Sequence, residues 1–372
     1  MNRPDLAFVR HFADLPDPRV DRTKRHLLGD ILVIALCAVV CGADSFEEIE
    51  RFGKARHDWL RRVLALPNGI PSHDTFNRVL AALDRTKFAE CFGRWMADLC
   101  TRTGLRPIAV DGKACRAAAG DTFSGCLHLV SAWAAENNLV LGQVAVEDGS
   151  HEIAAIPALL TLLDLKGALV TIDAAGCQKE IVGQIRQQGG HYLLAVKGNQ
   201  PTLEQAVHAA FERAGEAEFA GCPVAAAVED SHGRHEERYV TVLRNPAGLP
   251  AGWADVAAAL MVGRERAVNG RNASTAHYYI TSLRCSAKKL AGYVRGHWGV
   301  ENGLHWCLDV SFGEDANRTR DRNAGANLGL VRRVAASLLK QDPGRGSIKA
   351  KRLTAALDEQ YLERVLRGFT TN

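Results

Sequence analysis

No run in this chain stays apolar for long enough to cross a bilayer. The most hydrophobic stretch, Ile31 to Ala43, falls short of the ~20 residues that a spanning helix needs. Asp30 abuts it, so the run predicts a buried helix. The opening Met1-Asn2-Arg3-Pro4-Asp5 has neither the apolar core nor the cleavage site of a secretory leader. Ten cysteines are scattered with no Cys-x-x-Cys among them, and Cys37 and Cys41 sit one turn apart inside the apolar run as small hydrophobes. These absences predict a cytoplasmic protein with reduced thiols and no membrane partner. There is also no Gly-x-x-x-x-Gly-Lys-Ser/Thr loop, so no site of that kind for a nucleoside triphosphate. Net charge is nearly absent: 46 Lys and Arg against 42 Asp and Glu leave +4 on 372 residues, which by itself names no partner.

What is present is an ordinary globular composition, 47% hydrophobic and 24% charged, which excludes disorder, collagen-like sequence and repeat arrays. The length predicts two or three domains, or one with a large insertion. Charge becomes informative only when divided. From Ala316 onward stand twelve Lys or Arg and five Asp or Glu, an excess of +7 over a body near −3. A basic C-terminal tail from about 316 fits an anionic polymer. The competing reading is a solubilising helical surface.

Residues 1–104 read as helical. Asp44-Ser45-Phe46-Glu47-Glu48 offers an N-cap with acids in the first turn, and Pro71-Ser72-His73-Asp74-Thr75 starts a helix burying Phe76, Val79, Leu80 and Leu83. The texture changes at Pro107. Ile108 to Lys113 is an apolar run broken by Asp111, and Cys126–Trp133 with Leu139–Val146 reads as a hairpin. Helical and strand-like segments then alternate through Ala168–Asp173 to His191–Gly198. This order predicts a mixed α/β sheet flanked by helices. Residues from about 204 to 276 interrupt it as a β-rich insertion.

Asp111, Asp173 and Lys197 each end an apolar run and are closely followed by glycine. At the carboxyl ends of neighbouring strands such residues converge. Stepping by four from His297 gives Glu301, His305 and Asp309 on one helix face, either a metal site or a polar surface. Two strand-end carboxylates and a later glutamate suit two divalent cations, with oxygen donors favouring Mg²⁺. Turn or N-cap aspartates are the alternative.

The segments Val110-Asp111-Gly112-Lys113, Leu127 to Trp133, Thr171-Ile172-Asp173-Ala174-Ala175-Gly176-Cys177-Gln178, Lys197-Gly198-Asn199-Gln200 and His297-Trp298-Gly299-Val300-Glu301-Asn302 occur in an order that resembles a known family. It is that of bacterial insertion-sequence transposases of the Asp-Asp-Glu type, in the H-repeat-associated branch. The resemblance runs almost end to end, with Pro71–Arg78 matching its helical N-terminal domain and Ser347–Arg352 its tail. It implies a ribonuclease H-like fold, with a DNA-binding domain over 1–104 and a catalytic domain over 105–372 that carries the insertion.

Carried over by position, Asp111, Asp173 and Glu301 become the catalytic and metal-holding carboxylates, with Mg²⁺ as cofactor and Mn²⁺ as a substitute. The implied activity is phosphodiester cleavage at element ends followed by attack of the freed 3′-hydroxyl on target DNA. The implied partners are double-stranded terminal inverted repeats, target DNA and further copies of the chain in a synaptic complex at the nucleoid. Candidate DNA contacts are Lys113, Lys197, His297, Trp298, Arg318, Arg320 and Arg322. A related group carries arginine four before the glutamate and lysine seven after it; His297 and Leu308 stand there, so those roles do not transfer. Ala175 and His151 also depart from the branch, without touching a carboxylate. The rival readings are a nuclease of the same fold that only hydrolyses, and a non-catalytic DNA-binding or repressor protein.

Overall fold

The computed structural model describes residues 7–100, 105–115, 126–147, 149–231, 234–268 and 271–368. The Met1–Asp5 start, and residues 232–233 of the expected β-rich insertion, lie outside these. In chain order the elements are helices α1 (Leu28–Val40), α2 (Phe46–Ala55), α3 (His57–Val63), α4 (His73–Ala82) and α5 (Arg85–Leu99); strands β1 (Arg106–Cys115), β2 (Leu127–Ala134) and β3 (Leu139–Ala145); α6 (Glu152–Thr161), β4 (Ala168–Ile172), α7 (Lys179–Gln187), β5 (His191–Val196) and α8 (Pro201–Glu216). Then come β6 (Val224–Ser231), β7 (Arg234–Arg244), β8 (Ala258–Val268), β9 (Arg271–Thr281), α9 (Ala287–His297), a π-helical turn (Glu301–His305), α10 (Trp306–Phe312), α11 (Arg322–Gln341), α12 (Ile348–Leu357) and α13 (Glu359–Arg367). The chain forms two compact units: Met1–Arg102, Gly112–Leu163 and Val300–Asn372 make the first, and Thr103–Asp111 with Asp164–Gly299 the second.

In the first unit local signals set the helices. Asp30 to Val40 of α1 are all buried, and Asp30 meets the cost of burial by accepting the Leu66 N–H at 2.9 Å. Ser45 and Glu48 close a reciprocal capping box on α2, and Ser72 caps α4, which buries Phe76, Val79 and Leu80. β2 and β3 form the expected antiparallel hairpin. At the centre lies α11, buried without a break from Ala324 to Leu339.

A helix buried all round must satisfy its polar residues internally. Arg333, fully buried, donates to Glu314 at 2.6 Å and to Ser131 at 3.0 Å, while Arg332 donates to the Asp44 carbonyl at 2.8 Å. Asn327 reaches the Leu80 carbonyl at 2.8 Å, and Ser337 accepts the Val140 N–H at 3.0 Å.

The second unit is built on a mixed sheet. The first half of β1 pairs parallel with β4 and β4 with β5; β9 then joins β5 antiparallel, followed by β8, β7 and β6. Helix α9 closes a core with Leu169, Leu193, Val242 and Leu260 through Leu290 and Val294. The interruption expected from residue 204 opens with helix α8, and its strands start only at Val224. Among the described residues no helix is long and apolar enough to cross a membrane.

Replacing Arg333 by Met should leave the buried Glu314 with only Lys113, 3.8 Å away, and lower stability by about 3 kcal/mol, whereas Arg333→Met with Glu314→Leu should recover most of it. Urea unfolding monitored by circular dichroism measures both; an unshifted midpoint in the single variant would remove the pair from the core's energetics.

Candidate active site

The parallel pairing of β1 with β4 runs in register from Arg106↔Ala168 to Val110↔Ile172 and stops there. The next residue on each chain segment is an aspartate, Asp111 and Asp173. Neighbouring strands lie about 4.8 Å apart, and residues at matching register share a sheet face. The apolar run did not place Asp111 at the end of its strand, however. β1 continues to Cys115, and it is the partnership with β4 that ends, so Asp111 sits mid-strand where the ladder opens. Asp111 is half-buried and Asp173 exposed, with one Asp173 oxygen accepting the Gly176 N–H at 3.3 Å. Lys197 is exposed one residue beyond β5.

His297 ends α9 as a buried residue, its Nδ1 3.0 Å from the hydroxyl of Thr171, two residues before Asp173. Burial lowers its pKa, and the Asp173 charge works in the opposite direction. A ring held inside by Thr171 is not a surface contact for phosphate. Trp298 is 45% exposed and donates its indole N–H to the Tyr279 hydroxyl.

In the first unit Glu301 is exposed at the start of the π-helical turn. Such a turn fits a segment weakened by Gly299 and Gly303, and it breaks the i, i+4 register that placed His297, Glu301, His305 and Asp309 on one face. The four groups end in different surroundings. Asp309 receives Lys113 Nζ at 2.7 Å, and His305 is pushed down to about 4 by burial, with Arg333 and Lys113 adding to the effect.

Lys113 is not a surface cation. It is 7% exposed and also meets Asp315 at 3.0 Å and Glu314 at 3.8 Å. Burial works to lower its pKa, but hydrogen bonds to Asp309 and Asp315 outweigh this and raise it. Arg318 and Arg320 do face solvent, on an extended segment where the Asn317 carboxamide accepts from Thr319 at 3.2 and 2.8 Å. Arg322 is half-buried and donates to the Val146 carbonyl. Four of the twelve basic tail residues, Arg332, Arg333, Lys351 and Arg352, are buried.

One group escaped the sequence reading. A Cβ built on Gly112 would fall 1.8 Å from Glu152 Oε1, so the Glu152 carboxylate lies directly against the backbone next to Asp111. The only signal for it is the glycine itself, which leaves the space. The donor set along this strand is carboxylate oxygen, the chemistry that suits a hard divalent cation. Among the described residues no group of three His, Cys, Asp or Glu stands in metal-holding geometry.

The family described as "Transposase DDE domain" matches residues 102–338, and "DDE_Tnp_1-associated" matches residues 9–96. The chain therefore belongs to the DDE-domain transposases, as an insertion-sequence transposase. It is 37% identical to "H repeat-associated putative transposase YhhI" of Escherichia coli (strain K12), over 97% of each chain. It is 39% identical to "Putative transposase YncI" of Escherichia coli O157:H7, over 98% of this chain and 97% of the relative. A piggyBac transposase synaptic complex with hairpin DNA aligns with TM-score 0.40 at 9% identity, covering 99% of this chain and 79% of that one.

The depressed His305 gives a pH test. Its folded pKa lies below the ordinary 6.5, so its contribution to stability is complete above about pH 6.5 and is lost as pH falls toward 4. The shift corresponds to at most about 3 kcal/mol. His305→Gln should make urea stability less dependent on pH between 6.5 and 4 than in the native chain; parallel curves would contradict the assignment.

Proposed function

We propose that Asp111, Asp173 and Glu301 are the catalytic carboxylates with which this transposase cleaves phosphodiesters at element ends and joins the freed 3′-hydroxyl to target DNA. The observation that carries this reading is the β1–β4 ladder, which ends in register immediately before two aspartates. Two like charges so placed disfavour each other unless a cation neutralises them. Asp111 and Asp173 would hold Mg²⁺ or Mn²⁺, and Glu301 would complete the set. Bound there, the metal supplies charge neutralisation at the attacking and leaving oxygens of an in-line displacement.

The rest falls to the chain's own groups. Gly176 ties down one Asp173 oxygen, which orients the carboxylate. Thr171 and His297 brace the end of β4 from behind. Lys197, Arg318 and Arg320 are solvent-facing cations suited to phosphates, and the exposed Trp298 offers a face for an unstacked base. The core would be ribonuclease H-like, the helices of 1–104 would bind DNA, and the chain would act as a homo-oligomer when it pairs two ends.

Asp111→Ala and Asp173→Ala should each abolish metal-dependent cleavage of terminal-repeat DNA while keeping its binding, as read by gel assays. Cleavage retained in either variant overturns the assignment. Failure of the native chain to join a pre-cleaved end, with hydrolysis intact, would instead mark a nuclease.

For binding, Arg318→Gln with Arg320→Gln should reduce the slope of log affinity against log salt by about 1 per lost phosphate contact. Equal slopes would remove these arginines from the interface.

A further inference from the structure

We propose that Lys113 is a positioning residue that sets the orientation of the Glu301-bearing helical run against strand β1. The inference rests on the reading of Glu301 as a catalytic carboxylate and names what aims it.

Lys113 stands on β1 two residues along from Asp111. Its ammonium meets three carboxylates, Asp309 at 2.7 Å, Asp315 at 3.0 Å and Glu314 at 3.8 Å. Asp309 lies on α10, which continues the π-helical turn from Glu301. Glu314 and Asp315 follow directly, where Gly313 ends α10 with φ +57°. Glu314 is held from its other side by Arg333 of α11 at 2.6 Å.

Other contacts along this run are less directional. Leu304, Cys307 and Leu308 are buried, but apolar contact tolerates sliding and rotation. Glu301, Asn302, Trp306 and Val310 are exposed, so among the described residues of the unit the outer side of the run is left open. The π turn is wider than an α turn, which leaves the angle of Glu301 dependent on what lies beyond it. A buried ammonium with Asp309 and Asp315 within hydrogen-bond distance and Glu314 at 3.8 Å fixes that angle, because withdrawing these partners leaves the desolvated ammonium uncompensated. The network therefore locks rotation of the run about its axis and couples it to β1.

The experiment uses the full chain and two variants, Asp309→Asn and Asp315→Asn, each of which leaves Lys113 two carboxylates and the side-chain shape unchanged. The readouts are the thermal unfolding midpoint, binding to terminal-repeat DNA, Mn²⁺ binding followed by electron paramagnetic resonance, and single-turnover end cleavage. Folding and DNA binding should persist. Cleavage should fall by roughly 10- to 100-fold, the scale of a misplacement near 1 Å. Half-saturating Mn²⁺ should rise roughly 10-fold, as when a supporting contact to a metal ligand is lost. Asp309→Glu, which restores the charge, should recover most of both.

Native cleavage and Mn²⁺ binding in both Asn variants overturn the proposal. So does a loss that merely follows the unfolded fraction, or one that Asp309→Glu leaves unrepaired. Asp173→Ala separates the two levels: if it cleaves normally, the catalytic reading has failed, whereas an inactive Asp173→Ala beside fully active Asn variants refutes the positioning role alone.

Discussion

The burial of charge around Glu314 constrains more of the first unit than any single apolar contact. This carboxylate is 1% exposed and its partner Arg333 is fully buried. Desolvating two such ions is costly, and their attraction offsets the cost only if geometry and the remaining hydrogen bonds are good. Arg333 meets that condition through Ser131 on β2 and the Gly329 carbonyl on its own helix, and Glu314 gains a second counter-charge from Lys113 on β1 at 3.8 Å. Hairpin, central helix, β1 and the end of α10 are thereby fixed by one requirement, that no member lose its counter-charge. Arg352 repeats the pattern: it donates to the Val39 carbonyl at 3.0 Å and Asp44 at 2.8 Å, and stacks on Phe312 at 4.3 Å.

In the second unit the governing event is the end of a ladder. Parallel strands bring matching residues side by side, and here the ladder stops at Val110↔Ile172, with an acid next on each segment. A sheet would ordinarily avoid adjacent like charges, since each raises the other's cost of ionisation. Asp173 is exposed and Asp111 half-buried, and a divalent cation held there would offset their repulsion. Stability and proposed chemistry thus pull in different directions at the same two positions, as expected where a local rule is broken for function.

Much of this was legible from sequence because the signals are local. The capping box at Ser45, the cap at Ser72, the hairpin after Leu127 and the buried α1 follow from spacing and side-chain type over a few residues. Asp111 and Asp173 stood out because each interrupts an apolar run. What escaped depends on tertiary placement. A lysine written next to glycine gives no hint that three acids some two hundred residues later surround it. His297 and Asp309 were grouped by an α-helical period that the π turn does not keep. Glu152 was invisible because the only trace of its position is the side chain that Gly112 lacks. The helix at the head of the insertion was missed because the strands dominating that region set its expected character.

The same distinction decides how charge can be read as a signal for DNA. Counterion release responds to cations that face the polymer, whereas a guanidinium already committed to a buried carboxylate releases none. Arg332, Arg333, Lys351 and Arg352 inflate the apparent basicity of the tail while serving its packing. Arg318 and Arg320 retain the meaning first given to the whole segment, because the backbone there is extended and the Asn317–Thr319 hydrogen bonds take the alternate positions inward. Lys197 keeps it by projecting beyond the parallel strands. The cations open to solvent in the tail are therefore fewer than its composition suggested, and in the proposed reading any phosphate contact there falls to those rather than to a uniformly basic terminus.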